Sequence, residues 1–123
     1  MNRLIKKQAR RLHRKAHIRK RVNGTNERPR LTVFRSHKNI YAQIIDDTAG
    51  KTLVAASSME QTLRTDLGEH RCNKAAAMKV GQALAAKASQ AGIRKVVFDR
   101  NGYPFHGRIR ELAEAARKGG LEF

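Results

Sequence analysis

A chain of 123 residues in which 40% of the side chains are hydrophobic suits one domain with a modest core. Its 27 Lys or Arg against 10 Asp or Glu give a net charge of +17, which repels further copies and attracts polyanions. The lone Cys72 precludes an internal disulfide and fits a reducing compartment, and no apolar run nears the roughly 18 residues of a membrane span.

The charge is concentrated at one end. Residues 1–30 hold twelve Lys or Arg and a single acid, Glu27. Between Asn2 and Val22 stand Arg3, Lys6, Lys7, Arg10, Arg11, Arg14, Lys15, Arg19, Lys20 and Arg21, with no acid among them. An Arg-rich, acid-free start is also the pattern of a mitochondrial transit peptide, which the lack of Ser in this segment disfavours. Ile5, Ala9, Leu12 and Ala16 recur at helical spacing, so the segment is predicted to be a helix with a narrow apolar stripe and a wide cationic arc. Like charges at i,i+4, such as Lys6 and Arg10, oppose that helix in water. The expectation is a segment frayed alone and helical on a partner, with the stripe packing on the domain or on ribose. Asn23-Gly24-Thr25-Asn26 ends it with turn chemistry.

Strands are predicted at 30–36, 40–47 and 52–58, joined by a turn at 37–39 and a hairpin loop in which Gly50 takes positive φ. A short helix near Glu60–Leu67, stopped by Gly68, is an option for the next stretch. Asn73 is expected to cap a helix over 74–91 whose inner stripe is Ala77, Val80, Leu84, Ala88 and Ala91. A fourth strand at 93–99 follows a helix and is therefore expected to run parallel to an earlier one. After a loop at 100–107, a last helix at 108–118 turns Ile109, Leu112, Ala113 and Ala116 inward. The predicted fold class is α/β: a mixed sheet, made of an antiparallel three-strand meander plus a parallel fourth strand, packed by helices and preceded by a basic helical extension. The division is a basic extension at 1–27 and one globular domain at 28–123.

A phosphate backbone is the natural neutraliser of the extension, because each Lys or Arg that meets a phosphate releases counterions. An anionic membrane is the alternative, but Ile5 and Leu12 are the only large residues of the stripe, which is thin for lipid insertion. The tip "RSHKNIYAQ" gathers donors in Arg35, Ser36, His37, Lys38 and Asn39, with Tyr41 and Gln43 on one strand face. A polar turn and a half-exposed strand explain the same residues equally well. In "DRNGYPFHGR", Arg100 and Arg108 flank a loop holding Tyr103 and His106 ahead of a helix, an arrangement able to meet an anion or simply to connect two elements. No dinucleotide or P-loop spacing occurs. Asp46, Asp47 and Asp99 raise a two-metal nuclease, yet neighbouring strand residues point to opposite faces. His70 and Cys72 lack the second ligand pair of a structural zinc site. Neither a catalytic group, a metal nor a cofactor is expected.

"RPRLTVFRSHKNIYAQIIDD" followed by "VVFDRNGYPFHGRIRELAEAARKGGLEF" closely resembles the bacterial large-subunit ribosomal protein 18 family over about residues 28–123, and "NKAAAMKVGQALAAKA" is similar to the family's central helix. The resemblance implies a non-catalytic structural protein of the cytoplasmic ribosome that binds 5S rRNA and helps attach it to the large subunit, forming the central protuberance. Its implied neighbours are 23S rRNA, large-subunit ribosomal protein 5 and other central-protuberance proteins, with no membrane and no small-molecule substrate. Carried over by position, the RNA-facing residues are Arg35, Ser36, Lys38, Tyr41 and Gln43, then Arg100, Tyr103, His106 and Arg108. His37, Asn39, Arg30 and the basic extension complete the expected interface. The chain departs from the family pattern at Asn39, usually His, at Asn101-Gly102, usually a Gly pair, and at Phe105, usually Tyr.

Overall fold

Alternation with period two sorts the strand side chains onto two faces. Leu31, Val33, Ala42, Ile44, Val54 and Ala56 are buried on one; Thr32, Phe34, Tyr41, Gln43 and Ala55 lie on the other and keep contact with solvent. In the computed structural model, which describes residues 3–20, 23–60, 63, 67 and 72–123, these residues form β1 (Arg30–Arg35), β2 (Ile40–Asp46) and β3 (Lys51–Ser57). A helix α1 (Arg3–Arg19) precedes them, and α2 (Lys74–Gln90), β4 (Val97–Asp99) and α3 (Arg108–Lys118) follow. The sheet order is β3-β2-β1-β4, with β1, β2 and β3 antiparallel in sequence and β4 parallel to β1. This is the expected mixed α/β sheet. Gly50 has φ 64, as the hairpin loop requires.

The inner face of the sheet is covered by α2, which lies on β2 and β3 and packs along α3. The Asn73 side chain accepts the Ala76 N–H at 2.9 Å and so caps α2, as its chemistry predicts. Gly81 lets α2 approach α3 closely, because a Cβ there would run into the Leu112 carbonyl oxygen. Two expectations for this region change. Ala91 is exposed, since its N–H closes the end of α2 on Lys87 and Ala88 carbonyls at 3.1 Å. The fourth strand is only three residues long: Val96 N–H donates to the Glu122 carbonyl at 3.0 Å, so the residues before it pair with the C-terminal segment rather than with β1.

Helix α1 meets the end of β4 and the loop that follows it. The predicted helix is present, and of the two packings expected for its stripe, on the domain or on ribose, the first does not occur: Ile5 and Leu12 are exposed, and Arg11, Arg14, Lys15 and Ile18 are the residues partly buried. The apolar stripe therefore does not pack on the domain. Polar and π contacts on the opposite side of the helix join it to the domain instead. Of the short helix proposed near residues 60–67, Leu63 and Leu67 are helical and pack on the core. Gly68 and His70 lie outside the described residues.

Candidate nucleic-acid interface

Contacts among the described residues dock α1 on the loop after β4. Arg14 Nε donates to the Gly102 carbonyl at 3.0 Å, Arg19 Nε meets Asp99 Oδ2 at 3.3 Å, and the Arg11 guanidinium lies 4.3 Å from the centre of the Tyr103 ring. Gly102 (φ 78) sits against the Arg11 carbonyl and leaves no room for a side chain. The loop after β4 is thus a saddle for the basic helix.

Docking leaves most of the cationic arc outside. Arg3, Lys6, Lys7, Arg10, Arg19 and Lys20 are exposed, and Arg11, Arg14 and Lys15 are half-buried. Arg21 lies outside the described residues. Burial first, then the charges of Arg19 and Arg11, lower the pKa of the Lys15 ammonium from its ordinary value. Lys15 is crowded by like charge in the protein alone, and an anion beside it relieves that crowding.

Next to the end of α1 the outer sheet face forms a hollow of about 370 Å³, lined by Arg19, Thr32, Val33, Phe34, Tyr41, Gln43, Ile45 and Asn101. Phe34 is 46% exposed, and its ring centre lies 5.7 Å from that of Tyr41. Phe34 and Tyr41 are cross-strand partners, as are Thr32 and Gln43. Helix, aromatic pair and polar strand residues therefore share one continuous surface. The aromatic Phe34 and the polar Thr32 were not picked out as site residues. The β1 alternation carries their signal: with Leu31 and Val33 inward, Thr32 and Phe34 must face outward.

The two candidate motifs come together. Tyr103 Oη donates to the Arg35 carbonyl at 3.3 Å and accepts the Arg35 N–H at 3.4 Å, while the Arg35 guanidinium lies 5.1 Å from the Tyr103 ring centre. Arg35 stays half-exposed, and His37, Lys38, Gln43 and His106 are presented to solvent at or near this junction. Other expected contact residues are turned to the protein itself. Asn39 is buried and accepts the Ser58 hydroxyl at 3.1 Å. Ser36 Oγ accepts the Asn39 N–H at 3.1 Å and so holds the turn. Arg100 Nη1 donates to the Tyr103 carbonyl at 2.7 Å, and Arg108 Nη1 to the Cys72 carbonyl at 2.9 Å. Tyr103 itself is buried beneath Arg11 and Arg35.

Arg30 has become an internal residue. Its guanidinium donates to Asp99 at 2.8 Å and to both oxygens of Asp47 at 2.9 and 3.0 Å, and the residue is buried. The hydrogen bond to Asp47 first, against the cost of burial, raises the Arg30 pKa. The Arg30 hydrogen bond, opposed by burial and supported by the Gly24 N–H at 2.7 Å, holds Asp47 below its usual range. Asp46 bonds instead to the Thr48 N–H at 3.0 Å, closing the hairpin turn. So Asp47 and Asp99 do converge, but on a guanidinium that fills the space a catalytic cation would need. Among the described residues no group of His, Cys, Asp or Glu is placed to hold a metal ion. Cys72 lies beside Arg108 and the Ser36 carbonyl, at 3.3 and 3.6 Å.

A cationic helix saddled on a small sheet, with an open aromatic and polar face beside it, is the build of a protein that packs against structured RNA. The family model described as ribosomal L18 of archaea, bacteria, mitochondria and chloroplasts matches residues 5–123. The large ribosomal subunit protein uL18 of Pseudothermotoga lettingae is 58% identical over 123 residues, covering 98% of this chain and all of the relative. The protein of the same name from Clostridioides difficile is 57% identical, over 95% of both chains. The chain belongs to the ribosomal L18 family, and is thus a structural, non-catalytic protein of the large ribosomal subunit.

Proposed function

We propose that the chain binds 5S rRNA and helps attach it to 23S rRNA in the central protuberance of the large subunit, beside large-subunit ribosomal protein 5. The observation that carries this reading is the continuity of two surfaces. The hollow lined by Arg19 of α1 and by Phe34, Tyr41 and Gln43 of the sheet joins a phosphate-seeking helix to a face able to read ribose and bases. Exposed Arg3, Lys6, Lys7, Arg10 and Lys20 make the backbone contacts, with Arg11, Arg14 and Lys15 beside them on the helix, and Arg21, outside the described residues, is proposed to join them. Arg35, His37, Lys38 and His106 extend the contact around the hairpin tip. Arg30, Asn39 and Ser36 support the surface from within.

Titration of labelled 5S rRNA with the full chain at several salt concentrations tests this. Tight binding at about 0.15 M salt, weakening steeply with salt and poorly competed by duplex DNA, is the expected outcome. Replacing Lys6, Lys7 and Arg10 by Gln is expected to flatten the log–log salt slope by roughly 2–3 units. Equal affinity for duplex DNA points to a general nucleic-acid compactor instead, and cleavage of the RNA in Mg²⁺ points to a nuclease.

A further inference from the structure

Tyr103 stands where the basic helix meets the end of β1, yet it is only 6% exposed. Its ring centre lies 4.3 Å from the Arg11 guanidinium of α1 and 5.1 Å from the Arg35 guanidinium of β1. Its hydroxyl spans the Arg35 backbone, donating to the carbonyl at 3.3 Å and accepting the N–H at 3.4 Å. Its own backbone is clamped by Arg100: the Tyr103 N–H donates to the Arg100 carbonyl at 3.0 Å, and Arg100 Nη1 donates to the Tyr103 carbonyl at 2.7 Å. A side chain so covered has almost no surface left for an RNA. What it can do is fix the two guanidiniums that cover it.

Arg11 is held mainly by the ring. Its Nε is buried and has no hydrogen-bond acceptor in the protein. Desolvating a guanidinium donor without an acceptor is costly, and the facing ring offsets that cost by cation–π attraction. Arg35 draws on the same ring, so an electron-rich group brings together two cations that would otherwise repel. One of them belongs to the helix that carries most of the exposed positive charge, and the other leads into the hairpin tip with His37 and Lys38. Two surfaces held in fixed relation have lost their mutual freedom before a ligand arrives. If they are loosened, binding has to supply that ordering, and affinity falls even though the same phosphates are met.

We infer that Tyr103 is a positioning residue for RNA binding: through Arg11 and Arg35 it locks the basic helix and the hairpin tip into one preorganised surface without touching the RNA itself. The inference rests on the RNA-binding reading above. It also reassigns Tyr103 from the contact surface to the layer beneath it.

The test measures 5S rRNA binding to the full chain at about 0.15 M salt and along a salt series, with urea unfolding to show that each variant is folded. Tyr103→Phe keeps the ring and loses only two long hydrogen bonds, so it should bind within about two-fold of wild type. Tyr103→Leu should bind on the order of ten-fold more weakly with an unchanged salt slope, whereas loss of a phosphate contact would flatten the slope by about 0.7–0.9. Arg→Lys keeps the charge and removes the planar stack. Arg11→Lys and Arg35→Lys should therefore each weaken binding by roughly three- to ten-fold, the scale of one cation–π contact. Arg10→Lys, at an exposed neighbour, should not weaken it. In the Tyr103→Leu background, Arg11→Lys and Arg35→Lys should each cost less than about two-fold, because the tie they act through is gone. A merely structural Tyr103 would leave those losses multiplicative. Wild-type affinity in folded Tyr103→Leu, or Lys substitutions that cost as much in that background as in the wild type, overturns the positioning role while salt-dependent RNA binding stands. Should Tyr103→Leu fail to fold, equal affinity of Arg11→Lys and Arg10→Lys overturns it. A wild-type chain that ignores the RNA overturns both readings.

Discussion

Arg30 Nη1 and Asp99 Oδ2 lie 2.8 Å apart in the interior, and the same carboxylate oxygen also takes Arg19 Nε from α1 at 3.3 Å. One carboxylate thereby links the first strand, the fourth strand and the basic helix. Removing it leaves the Arg30 charge buried with Asp47 alone, and it frees the Asn101 N–H that Asp99 Oδ1 accepts at 2.8 Å. Asp99→Ala is expected to cost about 3 kcal/mol in urea unfolding, in the range for breaking a buried pair. A loss below about 1 kcal/mol, the scale of an exposed pair, would show that the pair does not anchor the fold.

Asp47 predicts an acid response. Its pKa is lowered in the folded state by Arg30, so its contribution is present above the unfolded value of about 3.9. That contribution is lost as pH falls through the lower folded value. Urea midpoints measured from pH 5 downward should therefore fall, and Asp47→Asn should flatten the fall while lowering stability at pH 7. An unchanged pH profile in the variant would assign the acid sensitivity to other carboxylates.

The antiparallel meander and the Asn73 cap of α2 were legible because they depend on local chemistry, whereas the pairing of β4 with β1 was not. Alternation set the faces of β1 and β2, and Asn73 and Gly50 carried their own conformational signals. The orientation of α1 was not legible. The stripe of Ile5 and Leu12 fits either the domain or ribose, and long-range partners settle which side of the helix meets the domain: Tyr103, Asp99 and the Gly102 carbonyl select Arg11, Arg19 and Arg14. The same limit applies to the site. The basic arc and Tyr41 with Gln43 were visible as residue types. The inward commitment of Arg30 and Asn39 was not, because it depends on Asp47, Asp99 and Ser58, which are distant in sequence or carry no signal of pairing.

The saddle for α1 can be broken at one atom. Gly102 has φ 78, and a Cβ would collide with the Arg11 carbonyl. Gly102→Ala is expected to lose about 1–2 kcal/mol from the backbone conformation alone and to displace the helix. Trypsin should then cut within α1 faster than in the wild type, while the remaining domain still melts cooperatively. Equal cleavage rates would show that the helix is held without this close approach.

Lys15 sets stability against function. Its pKa is lowered by burial and by Arg19 and Arg11, so the folded protein disfavours its charge. A lowered lysine pKa means that stability is reduced while the group is protonated and recovers as pH rises through the folded value toward the unfolded one near 10.4. At pH 7 the charge is present and the repulsion with it. Lys15→Met keeps the packing stem and removes the ammonium, so it should raise the melting temperature. In the RNA complex the same ammonium meets phosphate, and its loss should flatten the log–log salt slope by about 0.7–0.9. Differential scanning calorimetry and the salt titration read the two effects separately. A variant that melts lower, with an unaltered salt slope, would mean that Lys15 packs rather than binds.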